Sequence, residues 1–267
     1  MKERFVDVGG HHIRYLEGGD PTDGTMVLLH GLGGSAERWD KVSPIFEKRF
    51  RVVVPDMIGF GLSDKPPSDY TPGFLTSFLG DFVRATCGQR IFLVGSSLGG
   101  QVAVMYAASH PASIDRLVLV SPAGTMKRTT PAFDLYMMAA MYPGEQSVSR
   151  AFEAMEASDQ RADADLVRGF IRRMRLPNAK MAFMSAVLGL SNSGLTEAML
   201  HSISSPTLLV WGEDDPVVPV QNAGFFLSSV RDCTMFRMKG CGHTPYAQSP
   251  KAFAKLVLEF LERSTAG

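Results

Sequence analysis

Residues 93–100 read LVGSSLGG: an apolar run, two adjacent serines, a leucine and a pair of glycines. Read outward, the apolar run begins at Ile91, and the glycines open GGQVAVMYAAS (99–109), whose apolar residues recur every three or four positions. A nearly continuous apolar run is the texture of a strand covered on both faces, and the three-to-four spacing is that of a helix. The serines therefore stand at the carboxyl end of a buried strand where the chain turns into a helix. Open α/β sheets bind their ligands outside such ends. The window Gly95-Ser96-Ser97-Leu98-Gly99 fits G-x-S-x-G with Ser97 at its centre. That pattern makes a sharp strand-to-helix turn which pushes the central side chain out of the sheet, and flanking glycines leave the backbone room to make it. Ser97 is the expected reactive residue. Ser96, at the x position, points beside it and is a candidate substrate contact.

The texture of 91–95 recurs at MVLLH (26–30), RVVVP (51–55), RLVLVS (116–121), TLLVW (207–211) and TMFRM (234–238), each read as a covered strand. RFVDV (4–8) and HIRYLE (12–17) alternate apolar and polar residues around Gly9, Gly10 and His11, the signal of a half-buried hairpin at a sheet edge. LTSFLGDFVRAT (75–86) and KAFAKLVLEFLER (251–263) read as helices. Strand and helix in alternation predict an α/β fold with a mostly parallel, doubly wound sheet. From Pro122 to about Ser205 the rhythm breaks: no β-branched run appears, and stretches such as SRAFEAMEAS and ADLVRGFIRRM read as helices. A crossover needs far fewer residues. Residues 122–202 are therefore expected to form a helical cap inserted into a core domain of residues 1–121 and 203–267.

A serine hydroxyl needs a base to take its proton and a carboxylate to orient that base. Of the six histidines, His11 and His12 belong to the hairpin, His30 ends a strand, His110 precedes Pro111 at a helix end, and His201 lies near the exit of the insertion. His243 sits in GCGHTPYAQSP (240–250), a loop between the last strand and the last helix, where it can swing over the site. The acid is expected at another strand end. VWGEDDPVVP (210–219) offers Glu213, Asp214 and Asp215, and Asp215 is preferred because Pro216 stiffens its loop. The stretch after RLVLVS holds no acid. An oxyanion needs two N–H donors: that of Leu98, just after Ser97, and one from HGLGGSAERW (30–39), Leu32 first and Gly33 second. Gly31 and Gly33 let that backbone approach substrate. Asp56, in VPDMIGFGLSDKP (54–66), reads as a residue that holds its own loop through backbone N–H groups.

Taken in order, LLHGLGGSAERW, VPDMIGFGLSDKP, LVGSSLGG, LLVWGEDDPVVP and GCGHTPYAQSP resemble the α/β-hydrolase superfamily, in its branch with a helical cap. The resemblance covers most of the chain. It implies eight strands with the second antiparallel, and carries over by motif position Ser97 as nucleophile, His243 as base, Asp215 as acid, and Leu32 and Leu98 as oxyanion donors. Serine at the elbow argues against relatives that use aspartate there to displace at saturated carbon, and for attack at an acyl carbon. Carbon–carbon bond hydrolases of ring-fission products usually carry asparagine before the nucleophile and tryptophan after the histidine; here those positions are Ser96 and Thr244. Arg172 and Arg173 are read as a solvated helix face, with a substrate carboxylate as the alternative partner for either. Nine of fifteen methionines fall in 122–200, among them Met126, Met138 and Met184, and are read as lining an apolar, adaptable pocket.

The expectation is a carboxylesterase of short- to medium-chain esters, needing neither cofactor nor metal. A carbon–carbon hydrolase of dienoic ring-fission products is the alternative, and a ligand receptor on the same fold is the rival from another class. Lysine plus arginine equal aspartate plus glutamate, 27 each, and no long basic run occurs, which gives no footing for nucleic acid or for electrostatic attachment to membranes. Cys87, Cys233 and Cys241 are odd in number and lack a C-x-x-C pair, so free thiols are expected. MKERFVDVGG lacks the apolar core of a signal peptide, and no stretch approaches a membrane span. A soluble cytoplasmic protein, monomer or homodimer, acting on a small-molecule ester is expected.

Overall fold

A computed structural model describes residues 1–88, 90–157 and 161–262. Ser158 and Arg263, where two of the helix windows above end, lie outside the described residues. Eight strands form one sheet: β1 (Lys2–Val8), β2 (His11–Gly18), β3 (Thr25–Leu29), β4 (Arg51–Pro55), β5 (Ile91–Ser96), β6 (Ile114–Val120), β7 (Thr207–Gly212) and β8 (Cys233–Met238), in the order β1-β2-β4-β3-β5-β6-β7-β8. β2 runs antiparallel to β1 and β4, and the other pairs are parallel. The α/β-hydrolase topology expected from the sequence is thus the one observed.

Both faces of the sheet are covered, and the strands show why they read as unbroken apolar runs. Val27, Leu29, Val53, Leu93, Leu117, Leu119 and Leu209 point into one core, while Met26, Leu28, Val52, Val54, Val94, Val118 and Leu208 point into the other. Successive side chains of a strand face opposite ways, so both registers must be apolar when both faces are dry. β8 departs from that expectation. It is an edge strand with Phe236 half exposed, and only Met238 in it is buried. Its partner lies on one side alone, so its apolar residues are not all enclosed.

Helices α1 (Ser43–Phe46), α2 (Pro72–Thr86) and α3 (Leu98–Ser109) follow β3, β4 and β5. Pro72 occupies the first turn of α2, and the Thr71 hydroxyl accepts the Phe74 N–H there, satisfying a donor that has no partner inside the helix. α3 is buried on almost every side, between the sheet and α2. Among the described residues five helices lie between β6 and β7: α4 (Pro131–Met141), α5 (Glu145–Met155), α6 (Ala164–Met174), α7 (Ala179–Asn192) and α8 (Glu197–His201). Their aromatic residues Tyr136, Phe152, Phe170 and Phe183 pack on one another with ring centroids 5.4–6.3 Å apart. After β7 come α9 (Ala223–Ser229), α10 (Pro245–Gln248) and α11 (Pro250–Glu262). Among the described residues no helix is long and apolar enough to cross a membrane.

Candidate active site

The site is built at four carboxyl strand ends. β5 delivers Ser96 and Ser97, β3 the loop from His30 to Trp39, β7 Asp215, and β8 His243. At the β5–α3 junction Ser97 adopts φ 55°, ψ −118°, a backbone state that costs on the order of 1–3 kcal/mol and persists only where the surroundings impose it. They do so here. The Ser97 N–H donates to Val120 O (3.0 Å), and its carbonyl accepts from Gln101 N (3.0 Å) and Ala123 N (2.9 Å). The turn also demands a bare α-carbon at Gly99, where an added Cβ would fall 2.4 Å from the His30 carbonyl oxygen. Leu98 is the first residue of α3, so its N–H has no acceptor within the helix.

Asp215 is buried, at 6 % exposure. Its Oδ1 accepts the N–H groups of Val217 (2.8 Å) and Val218 (2.9 Å), which aims Oδ2 at the His243 ring. His243 Nδ1 donates to that oxygen at 2.8 Å. Because a carboxylate only accepts, this bond places the imidazole proton on Nδ1 and leaves Nε2 as the basic nitrogen. Glu213 and Asp214 are exposed. His243 is the one histidine of six that lines either of the two cavities at the strand ends.

The first cavity, of about 50 Å³, brings Ser97, Ser96, His243, Gly31, Leu32 and Gly33 together with Tyr136, Phe152, Met155 and Phe170 of the helices between β6 and β7. The second, of about 430 Å³, meets it at Ser97, Leu32, Phe133 and Val217 and extends past Met126, Val187 and Leu190. Gly31 lies against the serine: a Cβ there would be 3.1 Å from Ser97 Cβ. The glycine loop is held from behind by two residues. His30 is fully enclosed; its Nδ1 donates to Gly31 O (2.8 Å) and its Nε2 accepts the Met57 N–H (3.1 Å). Burial pulls its pKa down, which keeps it in the neutral form those two bonds require. Asp56, wholly buried, accepts from Ala36 N (2.7 Å), Leu62 N (2.8 Å) and Arg14 Nη1 (3.1 Å), so it pins two loops as the sequence implied.

Three expectations need correction. Met138 is 58 % exposed on the outer side of α4, because Tyr136, Ala139 and Ala140 take the inner side. Met184 packs half-buried on the apolar core and lines neither cavity; of the three methionines named as pocket residues only Met126 does. Arg173 is no solvated face. It is 7 % exposed and lines the first cavity, whereas Arg172 next to it is exposed. Its Nη1 lies 3.8 Å from Glu37 Oε2, its Nε has no hydrogen-bond partner, and burial lowers its pKa. Glu37 is bound in turn by Arg14 at 2.8 Å. Burial opposes ionisation of Glu37, but its neighbours, Arg14 and Arg173 among them, outweigh that and hold its pKa below the usual range. Arg38, stacked 5.3 Å over Phe152, also lines this cavity. The sequence read Arg173 first as a solvated face because a helical arginine beside exposed Arg172 looks the same whether its face meets water or a pocket, and it pointed to no role for Arg38. Among the described residues no cluster of three His, Cys, Asp or Glu could hold a metal, and the three cysteines are free thiols.

This arrangement can be set beside known proteins. The family model described as alpha/beta hydrolase fold matches residues 24–250, and the chain belongs to that family. It is 29 % identical over 268 residues to the 2-hydroxy-6-oxo-6-(2'-aminophenyl)hexa-2,4-dienoic acid hydrolase of Metapseudomonas resinovorans, covering 98 % of this chain and 91 % of that one. It is 29 % identical over 280 residues to the monoacylglycerol lipase abhd6-A of Xenopus laevis, covering 98 % and 82 %. Among solved structures, that of a membrane phospholipase A, a bacterial virulence factor, superposes with a TM-score of 0.87 at 28 % identity, over 98 % of this chain and 86 % of that one. The chain is an α/β-hydrolase enzyme.

Proposed function

We propose that this enzyme is a serine carboxylesterase acting on short- to medium-chain esters through an acyl-enzyme. The observation that carries the reading is the Asp215–His243 pair, bonded through Nδ1, with His243 lining the same cavity as Ser97. His243 Nε2 takes the Ser97 proton as the hydroxyl oxygen attacks the ester carbonyl. The N–H groups of Leu98 and Leu32 hold the oxyanion, the imidazolium protonates the leaving alcohol, and water activated by the same ring releases the acid. The small cavity suits the reacting group, and the larger one, where Met126, Val187 and Leu190 stand beside Lys127 and Arg128, suits the chain attached to it. Residues 122–202 act as the cap over this site, and the protein works on its small-molecule substrate in the cytoplasm, as a monomer or homodimer. Purified protein is tested on p-nitrophenyl acetate and butyrate. Turnover that Ser97→Ala abolishes supports the reading, and equal rates for the two proteins reject it.

A second reading is favoured by one observation, the buried Arg173 in the first cavity. A guanidinium there suits a substrate carboxylate, as in the dienoic acid handled by the Metapseudomonas relative. Ser96 and Thr244 stand where such carbon–carbon hydrolases usually carry asparagine and tryptophan, which is why the ester reading comes first. Turnover of a coloured dienoic ring-fission product well above that of p-nitrophenyl butyrate would reverse the order.

A further inference from the structure

The loop that carries His243 is tied to the carboxyl end of α5 at three points. The His243 N–H donates to Met155 O (2.9 Å), the Thr244 hydroxyl donates to Glu156 Oε1 (3.0 Å), and Gln248 Nε2 donates to Glu156 O (2.9 Å). The approach is close enough to exclude a side chain at residue 242: a Cβ on Gly242 would lie 2.6 Å from Met155 O. The loop is braced from within as well, since Gln248 Oε1 accepts the Gly242 N–H at 2.8 Å. The α5 segment that makes these contacts also presents Phe152 and Met155 to the first cavity. One short stretch therefore both lines the pocket and holds the loop at the His243 backbone and at the side chains of Thr244 and Gln248.

We propose that Glu156 is a positioning residue for His243: through Thr244 it holds the imidazole in register with Ser97, so that the place of α5 over the pocket sets the reactivity of the serine. This rests on the reading of His243 as the base. The Asp215 bond fixes the ring at Nδ1, and the Asp214 N–H, donating to Cys241 O at 3.0 Å, holds the loop on the β7 side. Met155 and Glu156 hold it on the α5 side. The hydroxyl of Thr244 is needed only as a donor, and the Glu156 side chain only as an acceptor, so the amide of a glutamine and the hydroxyl of a serine replace them, whereas alanine and valine do not.

The test compares full-length wild type with E156A, E156Q, T244V and T244S. Two readouts are used: the second-order rate of Ser97 labelling by a fluorophosphonate, followed by mass spectrometry, and kcat and KM for p-nitrophenyl acetate. Melting temperature reports folding. A lost ångström of alignment costs about ten- to a hundredfold in rate. E156A and T244V are therefore expected to label and turn over slower by about that factor, with KM within about twofold, and E156Q and T244S to recover most of the loss. Labelling of folded E156A and T244V at the wild-type rate overturns the proposal, as does an equal loss in the conservative pair. If E156A does not fold, T244V against T244S decides alone. A wild type that the reagent leaves unlabelled overturns the serine-hydrolase reading itself, and the proposal with it.

Discussion

The Tyr136 hydroxyl of α4 donates to the Leu32 carbonyl at 2.7 Å. A helix from between β6 and β7 thus bonds to the glycine loop proposed to hold the oxyanion. Tyr136 is buried, and burial raises its pKa, so the hydroxyl remains a donor throughout the working pH range. Tyr136→Phe leaves the Leu32 carbonyl without its partner. The expected loss is about 1 kcal/mol in stability, and a severalfold fall in kcat for p-nitrophenyl acetate; an unchanged kcat would show that the loop does not depend on this bond.

Asp215→Asn removes the acceptor that sets the His243 tautomer, because the amide nitrogen can donate to the ring in its place. Activity on p-nitrophenyl butyrate is expected to fall by about 10³–10⁴, the size of effect a wrong tautomer produces in triads of this kind, with the fold intact by circular dichroism. A loss below tenfold would remove Asp215 from the machinery.

His30 makes stability pH-dependent. Its folded pKa is depressed, first of all by burial, so the neutral form is favoured in the fold. The stability this group contributes is present above its unfolded pKa, about 6.5, and is lost as pH falls below that toward the folded value. Wild type is expected to lose melting temperature more steeply than His30→Gln between pH 7.5 and 5.5. Parallel curves for the two would contradict the assignment.

Gly99→Ala tests the elbow. The new methyl would lie 2.4 Å from the backbone oxygen of His30, and main chain cannot yield as a side-chain tip does. Overpacking of this kind costs about 1–3 kcal/mol or more, and here it also shifts Ser97. Soluble protein with wild-type esterase rates would show that the turn tolerates what its geometry forbids.

Arg173→Met separates the two substrate readings. The loss of the guanidinium is expected to leave KM for p-nitrophenyl butyrate within about threefold, and to weaken binding of a carboxylate-bearing substrate by roughly 2 kcal/mol or more, as for a charge-assisted bond. A KM that rises equally for both would make Arg173 a structural residue held by Glu37.

Much of this molecule was legible in its sequence. Buried parallel strands need apolar residues in both registers, so 26–30, 51–55, 91–95 and 207–211 announced themselves, and the G-x-S-x-G turn has few ways to fold. The Asp215–His243 pair, 28 residues apart, could be expected because each sits at a strand end. The sequence by itself determined the covered strands, the first hairpin and the turn around Ser97, since these follow from local periodicity and turn chemistry, while the eight-stranded topology was implied by the family resemblance. Only the tertiary structure decided which faces of the insertion helices meet the pocket. Met138 went to solvent and Arg173 inward, and Glu156 met the loop of His243 across 88 residues of chain through Thr244. Those outcomes depend on how helices rotate and pack against one another and the strand ends. That is a sum over distant contacts, which no local stretch of sequence encodes.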